Sequence, residues 1–366
     1  MNTVTEEKIY VTRSYMPPIS EYQRYVNKIF KSKQLTNQGC LLKELEQTLS
    51  NHLNVNHFHY VTNGTIALQL ALKVLGIENC EVITTPFSYV ATVSSILWQN
   101  CKPVFVDIEP DNFTIDVNKI EEKITENTKA IMPVHVFGYA CDVDGIQELA
   151  NKYNLKVIYD AAHAFDSVYK GVSLLNYGDI STCSFHATKL FHTIEGGACI
   201  VKDKEISDKL ELMKRFGHNG DEHLCLGINA KQTEFNAAMG LSIYPHLSEI
   251  KQKRYEISLI YDNLLPERLQ RPKKQAGLNY NYAYYPVVFN TKDEMRAVLT
   301  VLQSNNIYPR RYFYPSLNKL PYLEDKTQSC PISENIASRI LCLPLYDSLK
   351  EEEVRRIIAK IKEVAR

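Results

Sequence analysis

Ser184-Phe185-His186-Ala187-Thr188-Lys189 closes the apolar run 180–185, and an earlier apolar run, 156–160, ends in Tyr159-Asp160-Ala161-Ala162-His163. A lysine after a strand-like run is ordinary, and an Asp at a strand end most often caps a turn. Together they supply the two charges that a pyridoxal phosphate (PLP) site needs. The amine can bond the cofactor's aldehyde, and the carboxylate can keep the pyridine nitrogen protonated so that the ring accepts electrons. On that reading Lys189 and Asp160 are the candidate catalytic pair.

Outward from this pair, short β-rich runs alternate with longer helical patterns between about residues 60 and 205. Strands are predicted over 81–85, 103–107, 130–136, 156–160, 180–185 and 197–201, and helices over 65–75, 89–99, 117–123 and 143–153. Near-continuous apolar strands separated by helices predict a mainly parallel sheet covered on both faces. Ligands of such sheets gather at the carboxyl ends of the strands, where Asp160 and the segment leading to Lys189 both fall.

Beyond residue 205 the alternation loosens. Helices are predicted over 234–244 and 247–264, the second long enough to link two domains. A smaller α/β unit follows, with strands at 283–289, 307–310 and 340–343 and helices at 292–305, near 334–339 and from 350 onward. The last helix is amphipathic through Val354, Ile357, Ile358, Ile361 and Val364, with Glu early and Lys/Arg late. This divides the chain into an N-terminal arm (1–35), a large domain (36–245) and a small C-terminal domain (246–366).

Composition narrows the function classes. The 366 residues are 45% apolar and 23% charged, the profile of a globular chain with ample core. Lys+Arg and Asp+Glu are equal at 42 each, so no global field recruits nucleic acid or an anionic membrane. The nine cysteines are scattered without a C-x-x-C pair, which argues against a zinc site or a disulfide framework. No apolar run approaches membrane-spanning length, and the N-terminus lacks a basic segment followed by an apolar one. A cytoplasmic enzyme without metal is expected.

Several residues near the pair could carry chemistry. Asn63-Gly64-Thr65 follows the apolar run 58–61 and opens a helix, where free N–H groups and the helix dipole suit a phosphate; a simple capped Gly turn is the alternative. No G-x-G-x-x-G and no P-loop pattern is present, and no G-x-S-x-G surrounds any serine. His163 could contact a ligand or be a satisfied core histidine. His186 and His192 flank Lys189 without carboxylate or Cys partners, a poor metal case. Tyr89, in Thr85-Pro86-Phe87-Ser88-Tyr89, could stack on an aromatic ring or fill the core. Glu195-Gly196-Gly197 would let the backbone approach a cofactor closely.

The ordered set resembles the nucleotide-sugar aminotransferases, a branch of the fold-type I PLP enzymes related to aspartate aminotransferase. The residues carrying the likeness are Thr62-Asn63-Gly64-Thr65-Ile66-Ala67-Leu68, Thr85-Pro86-Phe87-Ser88-Tyr89-Val90-Ala91-Thr92, Pro103-Val104-Phe105-Val106-Asp107, Val134-His135-Val136-Phe137-Gly138, Asp160-Ala161-Ala162-His163-Ala164, 184–189 and Glu195-Gly196-Gly197. The match runs from about Ile9 to the C-terminus. It implies an α/β fold with a large domain built on a mainly parallel seven-stranded sheet, plus a smaller C-terminal α/β domain. Val11–Pro18, Leu35-Thr36-Asn37 and Arg310-Arg311-Tyr312-Phe313-Tyr314-Pro315 are similar to the branch that aminates C4 of dTDP-linked keto-sugars.

The resemblance also implies roles. Lys189 matches the lysine that bonds PLP, Asp160 the partner of the pyridine nitrogen, His163 the residue against the 3-hydroxyl and Tyr89 the stacked aromatic. Gly64, Thr65 and Ser184 match phosphate contacts, and Ile66 is placed with them among the cofactor-binding residues. Asn229 matches an Asn that reaches the neighbouring subunit's cofactor, which implies a homodimer with shared sites, although Ala230 and Lys231 replace the aromatic and Arg usual after it. The sugar is expected near His135, His186, Tyr312 and Tyr314. Some members of the branch carry His in place of the lysine and are dehydratases; Lys189 favours amino transfer. The implied reaction moves the amino group of L-glutamate to C4 of dTDP-4-dehydro-6-deoxy-D-glucose, for O-antigen or other cell-surface polysaccharide. A 3-aminotransferase and a non-catalytic PLP-binding regulator are the alternatives.

Overall fold

Seven strands between residues 57 and 201 form one sheet: β1 (His57–Val61), β2 (Glu81–Thr84), β3 (Lys102–Phe105), β4 (Thr128–Met132), β5 (Lys156–Asp160), β6 (Ile180–Ser184) and β7 (Gly197–Val201). Their order is β1-β7-β6-β5-β4-β2-β3, parallel except for β7, which runs antiparallel to both neighbours. This computed structural model describes residues 7–365, so the first six residues of the expected arm lie outside the described residues.

Both sheet faces are apolar, and the strand alternation sorts them. Val82, Ala130, Met132 and Ile158 pack with α3 (Gly64–Val74) through Leu68, Leu72 and Ala71. Ile83, Ile131, Val157 and Tyr159 pack with α5 (Val143–Tyr153) through Ile146 and Ala150. Successive residues of a strand point to opposite faces, so the sheet is covered twice as the apolar runs require. The expected helix over 117–123 is instead two 3-10 turns, Val117–Lys119 and Glu121–Lys123. Ile120 between them is the segment's one fully buried residue, too little apolar surface to hold an α-helix on the core.

Residues 19–53 add two helices, α1 (Ile19–Ser32) and α2 (Cys40–Leu53), that bury Tyr25, Ile29, Leu41, Leu45 and Leu49 against α7 (Glu234–Ile243). The buried Glu234 carboxylate accepts the N–H groups of Leu41 and Leu42, both at 2.9 Å, and so caps α2. After β2 comes α4 (Ala91–Trp98), and between β7 and α7 lies α6 (Lys204–Met213).

A second core forms around β8 (Tyr285–Val288) and β9 (Ile340–Leu343), paired antiparallel and packed by α8 (Leu247–Leu264), α9 (Lys292–Ser304) and α11 (Glu351–Val364). Ile9 pairs with Ile307 and joins this core. An aromatic cluster of Phe87, Phe113, Phe137 and Phe313 connects it to the loops at the sheet's carboxyl edge. Asp107 fastens the same junction: its carboxylate accepts the N–H groups of Ile332 (2.8 Å) and Ser333 (2.9 Å) in the first turn of α10 (Pro331–Arg339).

Candidate active site

A cavity of about 1140 Å³ opens at the carboxyl ends of β1, β5 and β6, and both Asp160 and Lys189 line it. Asp160 ends β5 and is 4% exposed. Thr92 Oγ1 donates to its Oδ2 (2.7 Å) and the Ala162 N–H to its Oδ1 (3.2 Å). Since the single Thr92 proton goes to Asp160, Ser88 donates in turn to Thr92 (2.8 Å). Burial pushes the Asp160 carboxyl above its ordinary range, and the Thr92 and Ala162 hydrogen bonds with the charge of Lys189 oppose this without cancelling it. A desolvated carboxylate in this state is stabilised by a cation brought against it.

Lys189 lies in the turn between β6 and β7, half-buried, with Nζ donating to the Tyr284 hydroxyl at 3.0 Å. Burial lowers the affinity of its amine for a proton, but Tyr284 and Asp160 outweigh that and hold it above the ordinary lysine value. His163 is buried beside the pair, stacked on Phe313 (5.3 Å, 10°). Its Nδ1 receives the Phe137 N–H at 3.3 Å, and a backbone N–H can only donate, so the ring proton resides on Nε2. Burial first, then Lys189, keeps the imidazole neutral to well below its ordinary pKa. His163 thus offers the cavity an N–H donor without a charge.

The phosphate-type donors lie at the start of α3. Asn63 is its N-cap, and Gly64, Thr65 and Ser184 line the cavity beside it. A Cβ on Gly64 would approach Ser184 Cβ to 3.0 Å, and one on Gly197 would come within 2.4 Å of the Asn63 carbonyl. Both glycines therefore let the β1–α3 turn close against β6 and β7. Gln232 braces the turn from below, donating to the carbonyls of Thr62 (3.2 Å) and Glu195 (2.6 Å), and Asn236 donates to Thr193 and Glu195 (both 2.8 Å). Ile66 lines the cavity, but its N–H is already taken by Asn63 Oδ1 at 2.9 Å, so Gly64 and Thr65 are the backbone donors left for an anion.

These groups fit PLP: a buried carboxylate for a protonated ring nitrogen, an amine for the aldehyde, helix-start N–H groups and hydroxyls for the phosphate, and a neutral donor for the ring oxygen. Tyr89 lines the same cavity and is 59% exposed, its ring face open to a flat ligand.

The structure also separates residues that were expected together. His186 and Tyr312 line the cavity, and His186 lies 3.6 Å from the Glu195 carboxylate. His135 and Tyr314 do not line it. His135 is fully buried and stacks on Tyr159 (4.5 Å, 4°), which faces α5, so it lies on the sheet face opposite Asp160. Tyr314 turns outward under the Arg311 guanidinium. Asn229 is exposed and outside the cavity of its own chain, on a segment where Phe216, Leu224, Leu226 and Ile228 are also exposed. Sequence reasoning missed Thr92, Tyr284, Arg310, Gln232 and Trp98, which line or brace the cavity. Thr92 and Arg310 belonged to motifs already singled out, though neither was picked from them; Tyr284, Gln232 and Trp98 come from segments without a local signal.

The profile of the DegT/DnrJ/EryC1/StrS aminotransferase family matches residues 19–362. A dTDP-4-amino-4,6-dideoxy-D-glucose transaminase of Shigella dysenteriae is 38% identical over 98% of this chain and 100% of its own length. One of the same description from Escherichia coli is 39% identical over 97% of this chain and 98% of its own. Among solved structures, that of DesI in the presence of its TDP-sugar product superposes with a TM-score of 0.93 at 27% identity, over 98% of this chain and 93% of that one.

Proposed function

The chain belongs to the DegT/DnrJ/EryC1/StrS aminotransferase family, and from that premise we propose that it transfers the amino group of L-glutamate to C4 of dTDP-4-dehydro-6-deoxy-D-glucose. It is a PLP-dependent nucleotide-sugar aminotransferase with the fold-type I architecture. The observation that carries the reading is the meeting of Lys189, Asp160 and the α3 start in one cavity, within a chain so similar to two 4-amino-sugar transaminases.

PLP bound there supplies an aldehyde carbon that accepts and releases the amino group, and a ring that spreads charge from the reacting carbon. Gly64, Thr65 and Ser184 would hold its phosphate, Asp160 its ring nitrogen, His163 Nε2–H its ring oxygen and Tyr89 its face. Lys189 Nζ takes the proton from the α-carbon of glutamate in one half-reaction and delivers a proton to C4 of the sugar in the other. His186 and Tyr312 border the space left for the sugar.

The same proposal covers the assembly and its setting. Exposed Asn229 and its apolar neighbours face a second copy of the chain, giving a homodimer in which Asn229 completes the partner's phosphate site. Mixing Lys189→Ala and Asn229→Asp subunits should then restore activity that neither has alone; no recovery on mixing would exclude a shared site. Residues 36–245 would act as the PLP-binding domain and 246–366 as the small domain. No described helix is long and apolar enough to cross a membrane, which suits a cytoplasmic enzyme feeding cell-surface polysaccharide synthesis.

The test is incubation of the PLP-loaded protein with L-glutamate and dTDP-4-dehydro-6-deoxy-D-glucose, followed by NMR of the sugar. An equatorial amine at C4 with formation of 2-oxoglutarate is expected. Amination at C3 of a 3-keto isomer alone would replace this reading with the 3-aminotransferase, and uptake of PLP without any amino transfer would leave a regulator.

A further inference from the structure

Tyr284 is absent from the roles above, yet it is the residue in contact with the Lys189 amine. Its hydroxyl lies 3.0 Å from Nζ and its ring centre 5.7 Å away. The ring stands edge-on to His163 (5.0 Å) and tilted on Phe137 (5.5 Å). The backbone before it is fastened on both sides. The Tyr280 hydroxyl lies 3.1 Å from the Tyr284 carbonyl and 3.0 Å from that of Phe137, and Arg254 donates to the Ala283 carbonyl (3.2 Å). Buried Asn281 accepts the Ala283 N–H (3.1 Å) and donates to the carbonyls of His163 and Phe165 (both 2.8 Å). Gly138, at φ 93°, makes room for Asn281, since a Cβ there would meet Oδ1 at 2.8 Å. Residues 280–284 are thus a strap that binds the loop after Asp160 and ends on Lys189.

We propose that Tyr284 is the positioning residue for Lys189, its hydroxyl holding the released amine at one place in the cavity while that amine carries a proton between carbons. An ammonium donates to the phenol oxygen, and a neutral amine accepts a hydrogen bond from the phenol O–H, so the contact survives both protonation states. Without it the lysine's four-carbon stem is free to wander, and the amine spends less time aimed at the reacting carbon. The transferred proton travels on Nζ alone, from the carbon that gives it up to the one that receives it, and Tyr284 keeps its own. A strap braced at four points supplies the rigid support that such placement needs. The inference rests on the aminotransferase reading for the moment at which Lys189 is free, but not on which sugar is aminated.

Asp160, His163, Cys183 and Tyr312 are the other titratable groups acting on Lys189 or its shell, and Tyr284→Phe leaves all of them in place while removing one hydroxyl. In cofactor-free protein, Lys189 would be titrated by labelling with an amine-reactive reagent across pH and quantified by peptide mass spectrometry. Tyr284→Phe should label about tenfold faster than wild type at mildly alkaline pH, because an acceptor of the ammonium has been lost. In PLP-loaded protein kcat should fall about tenfold with KM for glutamate unchanged, and Tyr284→His, which restores a ring donor, should recover part of the loss. A labelling profile and kcat identical to wild type would overturn the proposal. So would equal losses in the Phe and His variants with unshifted labelling, which would leave Tyr284 as packing alone. Labelling needs neither cofactor nor sugar, so it still reads Tyr284 if the C4 assignment fails.

Discussion

Asp160 and His135 stand side by side at the carboxyl edge of the sheet, joined by the His135 N–H donating to the Asp160 carbonyl at 3.1 Å, yet they serve opposite faces. Asp160 continues the α3 face after Ile158 and enters the cavity. His135 lies flat on Tyr159, on the α5 face, and never reaches it. Both are buried polar groups, and burial disfavours the charge on each: it raises the Asp160 carboxyl and lowers His135 to about 3. The difference lies in what each can do about it. Asp160 faces a space where a cationic ring can be brought, whereas His135 stays neutral inside the core. One residue of strand parity separates a functional group from a structural one.

Breaking the cavity side should have the larger effects. Lys189→Ala removes the proposed proton carrier and should lower turnover about 10⁴-fold while leaving the fold intact, checked by single-turnover kinetics beside circular dichroism. Asp160→Asn keeps the shape and the Thr92 contact but removes the charge, and a loss of about 10³-fold is expected. Near-normal turnover in that variant would mean that Asp160 only holds the loop. Thr92→Val deletes a hydrogen bond that favours the ionised carboxylate, so the Asp160 pKa should rise further. The acid limb of the kcat profile should then move to higher pH, with kcat reduced about tenfold near neutrality.

His135→Phe is the contrasting prediction: turnover should stay at the wild-type level, and the change should appear in stability. Because the folded state holds His135 far below its ordinary value of 6.5, its share of stability is complete above that pH and is lost as pH falls toward 3. The loss runs at about 1.4 kcal/mol per pH unit for one proton. Urea unfolding at successive pH values below 6.5 should show a shallower decline in His135→Phe, with His163 still contributing its own share in the same direction. An unaltered slope together with lost activity would place His135 on the cavity side after all.

Much of the sheet was legible because its cues are local. Apolar runs bounded by turn residues predicted strands that end within a few residues of those observed, and the helix over 247–264 matches α8. The motifs at strand ends were legible for the same reason: parallel strands deliver their last residues to one edge whatever the rest of the chain does. The helices α1 and α2 were not predicted although Tyr25 and Ile29, and Leu41, Leu45 and Leu49, have helical spacing: in α1 only those two residues are buried, too narrow a stripe to stand out beside Pro17-Pro18. The stretch 117–123 had helical composition but too little to bury.

By itself, the order of residues determined the strand and helix alternation, the edge at which ligands gather, and the delivery of Lys189, Asp160 and the Asn63-Gly64-Thr65 turn to that edge. Those features depend on neighbours a few positions apart. Tertiary structure alone decided that His135 faces away, that Tyr314 turns outward, and that Tyr284 comes 95 positions along the chain to meet Lys189. Such outcomes depend on strand parity across a whole sheet and on how a second core docks through Phe137 and Phe313, which no short stretch of sequence encodes.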